Sequence, residues 1–211
     1  MKSKKNLLEQ LKTLPHFNKD VIFQLGTHLG LEDSTIDTYI SRFLKNREIY
    51  RLKNGLYISA DFFEKNRNDI SYSFYVANIL RTPSYVSSWT ALQYFNLTTE
   101  AIHGITCVTP KVTRDYQTQV ENFSYQSIDK KLFSGFSLGT GTFDFFIASP
   151  AKALFDLLYF KTYQFRGVTL KQIPTLIEEL RIDFDEMDKK EQKIFYKMIK
   201  KRILKWTKKR R

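Results

Sequence analysis

The sequence contains a single cysteine, Cys107, among 211 residues, so an intrachain disulfide is excluded. The 8 glycines and 5 prolines are too few for a low-complexity or fibrous chain. No apolar run approaches the roughly 20 residues of a membrane span. The lysine-rich start, MKSKKNLLEQLKTL, is interrupted by polar residues before it reaches the ~7 apolar residues of a signal peptide. These absences predict a globular protein of the reducing cytoplasm.

Groups that carry catalysis or bind metals are also scarce. The three histidines, His16, His28 and His103, show no metal-ligand spacing, and one cysteine cannot build a zinc site. The segment Gly139-Thr140-Gly141 lacks the lysine of a phosphate-binding loop and is expected to form a hairpin turn. We therefore expect no metal site, no cofactor and no enzymatic activity.

Positive charge is abundant and concentrated at the two ends of the chain. The formal net charge is +12. Residues 1–60 carry ten Lys/Arg and six Asp/Glu, residues 189–211 carry twelve and one, and the stretch between them is slightly acidic. This distribution indicates a polyanionic partner. For the terminal block, a solvated helix that keeps the protein in solution is an equally good interpretation.

Three helices are predicted before residue 46. Leucines at helical spacing form the first, from Asn6 to Leu14, which Pro15 ends. Asn18 is expected to cap the second helix, which Gly26 closes or kinks. Ser34 is expected to cap the third.

The third helix has one apolar face and one face of hydroxyl groups and cations. The apolar positions at helical spacing are Ile36, Ile40, Phe43 and Leu44. The complementary stripe contains no carboxylate and consists of Thr35, Thr38, Tyr39, Arg42 and Lys45. A helix in a DNA major groove needs such short donors and acceptors for base edges and long cations for phosphates. Taken alone, the stripe favours an ordinary solvated helix face.

The next segment, from Arg47 to Ser59, is typical of a β-hairpin. Two short alternating strands flank Asn54-Gly55, a dipeptide that accepts the positive φ angles of a two-residue turn. Three helices followed by a hairpin with a basic tip is the order of a winged helix-turn-helix. Residues 1–60 are therefore predicted to bind double-stranded DNA, with contacts from Ser34, Thr35, Thr38, Tyr39, Arg42, Lys45, Arg47, Arg51, Lys53 and Asn54.

Residues 70–211 are predicted to form a mixed α+β domain with an antiparallel sheet and C-terminal helices. The polar segment FFEKNRND before it is expected to be a linker or turn. Short alternating segments between Ile105 and Ile147 supply the strands, and Ser149-Pro150 starts a helix. The last helix, Asp188 to Trp206, places lysines opposite an apolar face. Its additional DNA contacts are predicted at Lys200, Lys201, Arg202, Lys205, Lys208 and Lys209.

The chain resembles the AbiEi family, antitoxins of type IV toxin–antitoxin (abortive infection) systems and related transcriptional regulators. The resemblance is carried by NGLYIS, YVANILRTPSYVSSWTALQYFNL, ITCVTPK and FDFFIASPAKALFDLLYF. It implies a winged helix that represses the protein's own operon. It also implies a second domain that counteracts a nucleotidyltransferase-like toxin encoded next door, without a stable complex being required. Ala151 departs from the family, which usually has a glutamate after the proline.

Two other functions fit the same residues. The first is a stand-alone transcriptional regulator, whose second domain would serve dimerisation or sensing. The second is a DNA-targeted nuclease, in which Asp144 and Asp156 would hold a metal ion. Because Asp156 lies on an apolar helix, we expect a buried carboxylate bonded to backbone or to an arginine instead. Cys107 lies in an apolar strand without a nearby histidine, which disfavours a nucleophile.

Overall fold

The computed structural model describes the backbone of residues 2–208 and the side chains of residues 4–204. This part of the chain has an α+β fold, as predicted. The helices are α1 (Lys2–Leu11), α2 (Lys19–His28), α3 (Asp33–Lys45), α4 (Ala60–Asn66), α5 (Ile70–Leu80), α6 (Ser88–Tyr94), α7 (Pro150–Lys161), α8 (Ile173–Glu179) and α9 (Lys189–Lys208). The strands are β1 (Phe17–Asn18), β2 (Ile49–Lys53), β3 (Leu56–Ser59), β4 (Tyr85–Val86), β5 (Ile105–Thr109), β6 (Arg114–Gln117), β7 (Asn122–Ser127), β8 (Phe136–Gly139) and β9 (Phe145–Ala148). No helix in the described range is long and apolar enough to cross a membrane.

The first 59 residues, here the N-terminal unit, place α1, α2 and α3 against a three-stranded antiparallel sheet of order β1-β3-β2. The core between them is built from residues spaced at the helical period and from inward-facing strand residues. Its fully buried members are Leu7, Leu8, Leu11, Phe17, Ile22, Ile36, Ile40, Phe43, Ile49 and Tyr57. The apolar face predicted for α3 is therefore correct.

The helix starts agree with the sequence only in part. Asn18 caps α2 as predicted, because its Oδ1 accepts the Val21 N–H at 2.8 Å. The prediction for Ser34 is wrong: α3 already begins at Asp33, and Glu32 is its N-cap. The Ile36 N–H donates to the Glu32 carbonyl, so the first helical bond forms before Ser34 can act as a cap. The first helix also ends earlier than predicted, at Leu11.

The predicted hairpin is confirmed. Lys53 pairs with Leu56 across a two-residue turn, and Gly55 takes a φ of 75° there. The register shifts between Arg51 and Lys53, a β-bulge. The alternation expected for the second strand is absent, because all four residues of β3 are buried. Tyr57 contributes to the N-terminal core, whereas Leu56 and Ile58 contribute to the core of the remainder of the chain.

The polar segment after the hairpin begins with a helix, α4, so the prediction of a linker there is wrong. The Ser59 Oγ caps it by accepting the Phe62 N–H at 3.4 Å. The Phe62 ring lies 5.4 Å from that of Tyr72, and Phe63 lies 6.2 Å from Tyr50. Partial burial of these two phenylalanines overrides the polar composition of their neighbours.

The larger sheet has six strands in the order β6-β7-β5-β4-β9-β8. It is mixed rather than antiparallel: β5 pairs with β7 and β4 pairs with β9 in parallel. β5 and β7 are parallel because β7, the second strand of the β6–β7 hairpin, takes the inner position beside β5 and runs in the same direction as β5. Helices α5, α6 and α7 pack on the sheet, and α9 packs on α7.

The N-terminus of α7 receives a carboxylate from another helix. Pro150 stands in the first turn and Ser149 accepts the Lys152 N–H at 3.4 Å, as the sequence predicts. The Ala151 N–H donates to Glu191 Oε2 of α9 at 2.9 Å. A carboxylate therefore does lie at the positive end of the α7 dipole, but it is supplied by another helix.

Close approach of α2 and α3 depends on Gly26. A Cβ at this position would lie 2.4 Å from Cδ1 of Ile36, inside the N-terminal core. Alanine normally stabilises a helix by about 1 kcal/mol relative to glycine. Here we expect Gly26→Ala to destabilise the protein, because overpacking a tight core costs about 1–3 kcal/mol. Urea unfolding measures the difference.

Thr27→Ala is the matched control, since Thr27 is an exposed residue of the same helix. We expect it to leave the free energy of unfolding unchanged or slightly raised. A Gly26→Ala variant as stable as the parent would contradict the tight packing of α2 on α3.

Candidate nucleic-acid interface

The outward face of α3 is the first part of the interface. Thr38, Arg42 and Lys45 are exposed as predicted, together with Ser34. Thr35 and Tyr39 are only half-exposed at its edge, and the Tyr39 ring lies 6.3 Å from that of Phe43. The exposed stripe is thus narrower than the sequence suggests, and it is centred on hydroxyl groups and cations.

Two residues of this face were missed by sequence reasoning. Ser41 and Asp37 are both exposed, and the Ser41 hydroxyl donates to the Asp37 carbonyl at 3.0 Å. The helical spacing from Ser34 through Thr38 to Ser41 and Lys45 was the signal that could have found Ser41. Asp37 brings a carboxylate to the face, but Lys19 of α2 offsets it with an ion pair of 2.9 Å.

The hairpin turn lies beside α3. Asn54 and Gly55 of the turn line one cleft together with Ser41 and Asp37 of the helix. Arg51 and Asn54 are exposed. Arg47, also exposed, follows the end of α3 with a φ of 58°, a conformation that turns the chain sharply towards β2.

Lys53, the last residue of β2, differs from Arg51 and Asn54 because its side chain has a partner within the chain. Its ammonium group turns inward and donates to the Leu80 carbonyl at the end of α5, at 2.7 Å. The register of β2 shifts between Arg51 and Lys53, and the neighbouring Leu52 and Leu56 are buried in the core of the remainder of the chain, here the second core. One N–H donor of Lys53 is therefore used within the chain, at the junction between the hairpin and α5.

The C-terminal basic residues differ in their surroundings. Lys200 and Lys201 are exposed on α9. Arg202 is committed to the fold, because its guanidinium lies 5.2 Å from the centre of the Tyr159 ring and donates to Gln164 at 3.2 Å. The predicted contacts at Lys205, Lys208 and Lys209 lie outside the residues whose side chains the structure describes.

The carboxylates required by the nuclease hypothesis do not share a site. Asp144 is exposed, whereas Asp156 is fully buried on α7. Asp156 Oδ2 accepts the hydroxyls of Tyr85 and Ser87 at 3.0 and 2.8 Å, and Oδ1 lies 2.5 Å from Lys152 Nζ. The partner is thus a lysine and two hydroxyls, not the backbone or arginine that we expected. Among the described residues, no cluster of three or more His, Cys, Asp or Glu side chains could hold a metal ion.

Burial shifts the pKa of Asp156 and of Cys107, which the sequence analysis considered as a metal ligand and as a nucleophile. It raises the pKa of Asp156, although Lys152, Ser87 and Tyr85 act in the opposite direction. It also raises the pKa of the Cys107 thiol, which is fully buried in β5. A thiol in this environment is held in its unreactive protonated form.

Comparison with known proteins gives no relative. No protein-family model matches the chain, and no curated protein matches it.

The buried pair of Lys152 and Asp156 makes a stability prediction. Lys152→Met removes one partner and leaves an uncompensated carboxylate, which should cost about 3–5 kcal/mol. The double variant Lys152→Met/Asp156→Leu removes both charges and should recover most of that loss. Chemical denaturation at pH 7 measures both.

The pH dependence provides a second check. Without Lys152, burial raises the pKa of Asp156 still further above its unfolded value of 3.8. A carboxyl group whose pKa is raised in the folded state stabilises the fold at low pH. This contribution to stability is lost as the pH rises through the folded-state pKa. The single variant should therefore lose stability relative to the double variant as the pH increases above about 4. If stability depends on pH in the same way in the single and the double variant, the buried charged pair of Lys152 and Asp156 is contradicted.

Proposed function

We propose that the protein is a DNA-binding transcriptional repressor of the cytoplasm and that its N-terminal unit is a winged helix-turn-helix. The observation that carries the proposal is the exposed face of α3, which combines hydroxyl groups and cations beside an exposed hairpin turn. The opposite face of the same helix is anchored in the core through Ile36, Ile40 and Phe43. A fixed helix with a polar outward face suits insertion into a groove.

In the proposed complex α3 lies in the major groove, which is about 12 Å wide and admits one helix. Thr38 and Ser41 then lie near base edges. Arg42 and Lys45 reach guanine edges or phosphates from the C-terminal half of the helix. The hairpin supplies Arg51 and Asn54 to the adjacent backbone or minor groove.

The antitoxin role rests on the resemblance to the AbiEi family. The most specific part of this resemblance lies in α7, the central buried helix of the second core. Asp156 of α7 accepts a hydrogen bond from Tyr85 of β4. Growth rescue by co-expression with a neighbouring nucleotidyltransferase-like toxin tests this role. Absence of rescue would favour the stand-alone regulator.

Loss of the cations on α3 and the hairpin should weaken binding to the DNA upstream of the protein's own coding sequence. We expect Arg42→Ala and Arg51→Ala each to lower affinity roughly tenfold at moderate salt, because each removes about one charged contact. The slope of log affinity against log salt should fall by about 1 for a lost phosphate contact. Fluorescence anisotropy over a salt series measures both quantities.

Arg67→Ala is the control for this experiment. Arg67 is exposed and pairs with Glu64 after α4, on a segment outside the proposed interface. The Arg67→Ala variant removes one positive charge, as Arg42→Ala and Arg51→Ala do, and should leave the affinity for DNA nearly unchanged. If Arg42→Ala and Arg51→Ala behave like this control, the proposed interface is wrong.

The contribution of the C-terminal cations requires a short deletion. Removing everything from residue 188 onward would also remove Phe195, Ile199 and Ile203, which are buried in the core. Deleting only residues 205–211 takes away five of the basic residues and spares these contacts. If the basic end contacts phosphates, affinity and salt slope should both fall; unchanged values would assign these residues to solubility.

A further inference from the structure

Four cations cluster where the hairpin meets the end of α5, outside the interface described above. Lys53 is the last residue of β2 and Arg81 follows α5. Lys111 lies between β5 and β6, and Arg114 is the first residue of β6. Lys53 donates to the carbonyl of Leu80 at 2.7 Å. Lys111 donates to that of Thr82 at 2.5 Å, so the two ammonium groups flank Arg81 along the backbone.

Arg81 is the centre of this cluster and an anomaly of the fold. Its side chain is only 9% exposed, yet its partners are neutral: the Val112 carbonyl at 2.5 Å and the Tyr116 hydroxyl at 3.4 Å. Its Nε–H is buried without an acceptor. A buried guanidinium normally has a carboxylate partner, because neutral acceptors satisfy its hydrogen bonds but leave its charge uncompensated.

Within the described part of the chain, none of the four cations has a carboxylate within 4.0 Å. The C-terminus of α5 contributes only about half a negative charge through its dipole. Burial alone would raise the pKa of Tyr116, but its hydrogen bonds to Arg114 and Arg81 dominate and lower it. The phenol thus responds to the same local excess of positive charge.

We propose that this cluster, formed by Lys53, Arg81, Lys111 and Arg114, binds a phosphate group. The exposed Lys111 and Arg114 make the direct contacts, because each retains N–H donors, and Arg81 supplies positive charge from beneath. The phosphate belongs either to a free phosphate ester or to the backbone of bound DNA. The second source rests on the proposed function, whereas the first is independent of it.

The site also explains the inward position of Lys53. This residue belongs to the hairpin, while the other three cations belong to the remainder of the chain. A phosphate bound among them would relieve repulsion between the two parts and hold the turn end of β2 against the end of α5. Occupancy would therefore stabilise the junction as a whole.

Thermal unfolding of the full chain tests the site, with inorganic phosphate as the probe and sodium chloride at equal ionic strength as the reference. A specific site should raise Tm by roughly 5–10 °C at a phosphate concentration about 100-fold above its Kd. The Lys111→Ala/Arg114→Ala variant should lose this increment. Both residues are exposed, so the variant is expected to fold. Lys130→Ala/Lys131→Ala, an equal loss of exposed charge elsewhere, should retain the increment.

The same variants in the DNA-binding assay identify the source of the phosphate. A fall in affinity of roughly tenfold or more, with a salt slope reduced by about 1–2, assigns the site to the DNA backbone. Unchanged DNA affinity with a lost phosphate increment assigns it to a free phosphate ester. The proposal is overturned if the double variant matches the parent in both assays. Failure of the α3 interface would appear separately, in Arg42→Ala and Arg51→Ala, and would leave the thermal result intact.

Discussion

Burial of β3 on both faces is the constraint on which the arrangement of this protein depends. Tyr57 faces the core of the N-terminal unit, whereas Leu56 and Ile58 face the core beneath the six-stranded sheet. The hairpin thus belongs to two cores at once and cannot swing as an independent loop. Two tyrosines of α5 strengthen the junction: Tyr72 donates to the Pro15 carbonyl at 2.8 Å, and the Tyr75 hydroxyl lies 2.5 Å from His16 Nδ1.

This anchoring has a consequence for binding. In the proposed complex with DNA, a hairpin fixed on two sides would lose little conformational entropy, so more of the contact energy would become affinity. It also explains why a lysine close to the turn, Lys53, serves the junction rather than the tip. The proposed phosphate site lies at this same junction, so its occupancy and the orientation of the hairpin are linked through one set of contacts.

The sequence predicted what local chemistry determines. The Asn54-Gly55 turn and the Asn18 cap depend on one or two residues and their immediate neighbours, and both were correct. The apolar face of α3 depends only on helical periodicity and was also correct. Likewise, the exposed members of its outer face could be found, apart from Asp37 and Ser41.

Features set by distant parts of the chain could not be predicted. The α4 helix is held by aromatic contacts to residues beyond it, such as that between Phe62 and Phe143. The parallel pairing of β5 and β7 depends on which strand of a hairpin takes the inner position. Glu191, 40 residues further along the chain, supplies the carboxylate that accepts the Ala151 N–H at the start of α7. The lysine partner of Asp156 was close enough in sequence to predict, since Lys152 lies four residues earlier on the same helix.

The charges along α3 give the proposed interface a direction. Its start carries Glu32 and Asp33, while its end carries Arg42 and Lys45. The two carboxylates compensate locally for the missing side-chain cap, because negative charge at a helix N-terminus interacts favourably with its dipole. The same carboxylates repel phosphates. A groove-bound α3 must therefore direct its first turn towards the bases or away from the backbone and place its last turn next to a phosphate strand. In this orientation the hairpin turn, which lies beside Ser41, is at the side of the helix. A neighbouring stretch of the DNA backbone would pass there in the proposed complex.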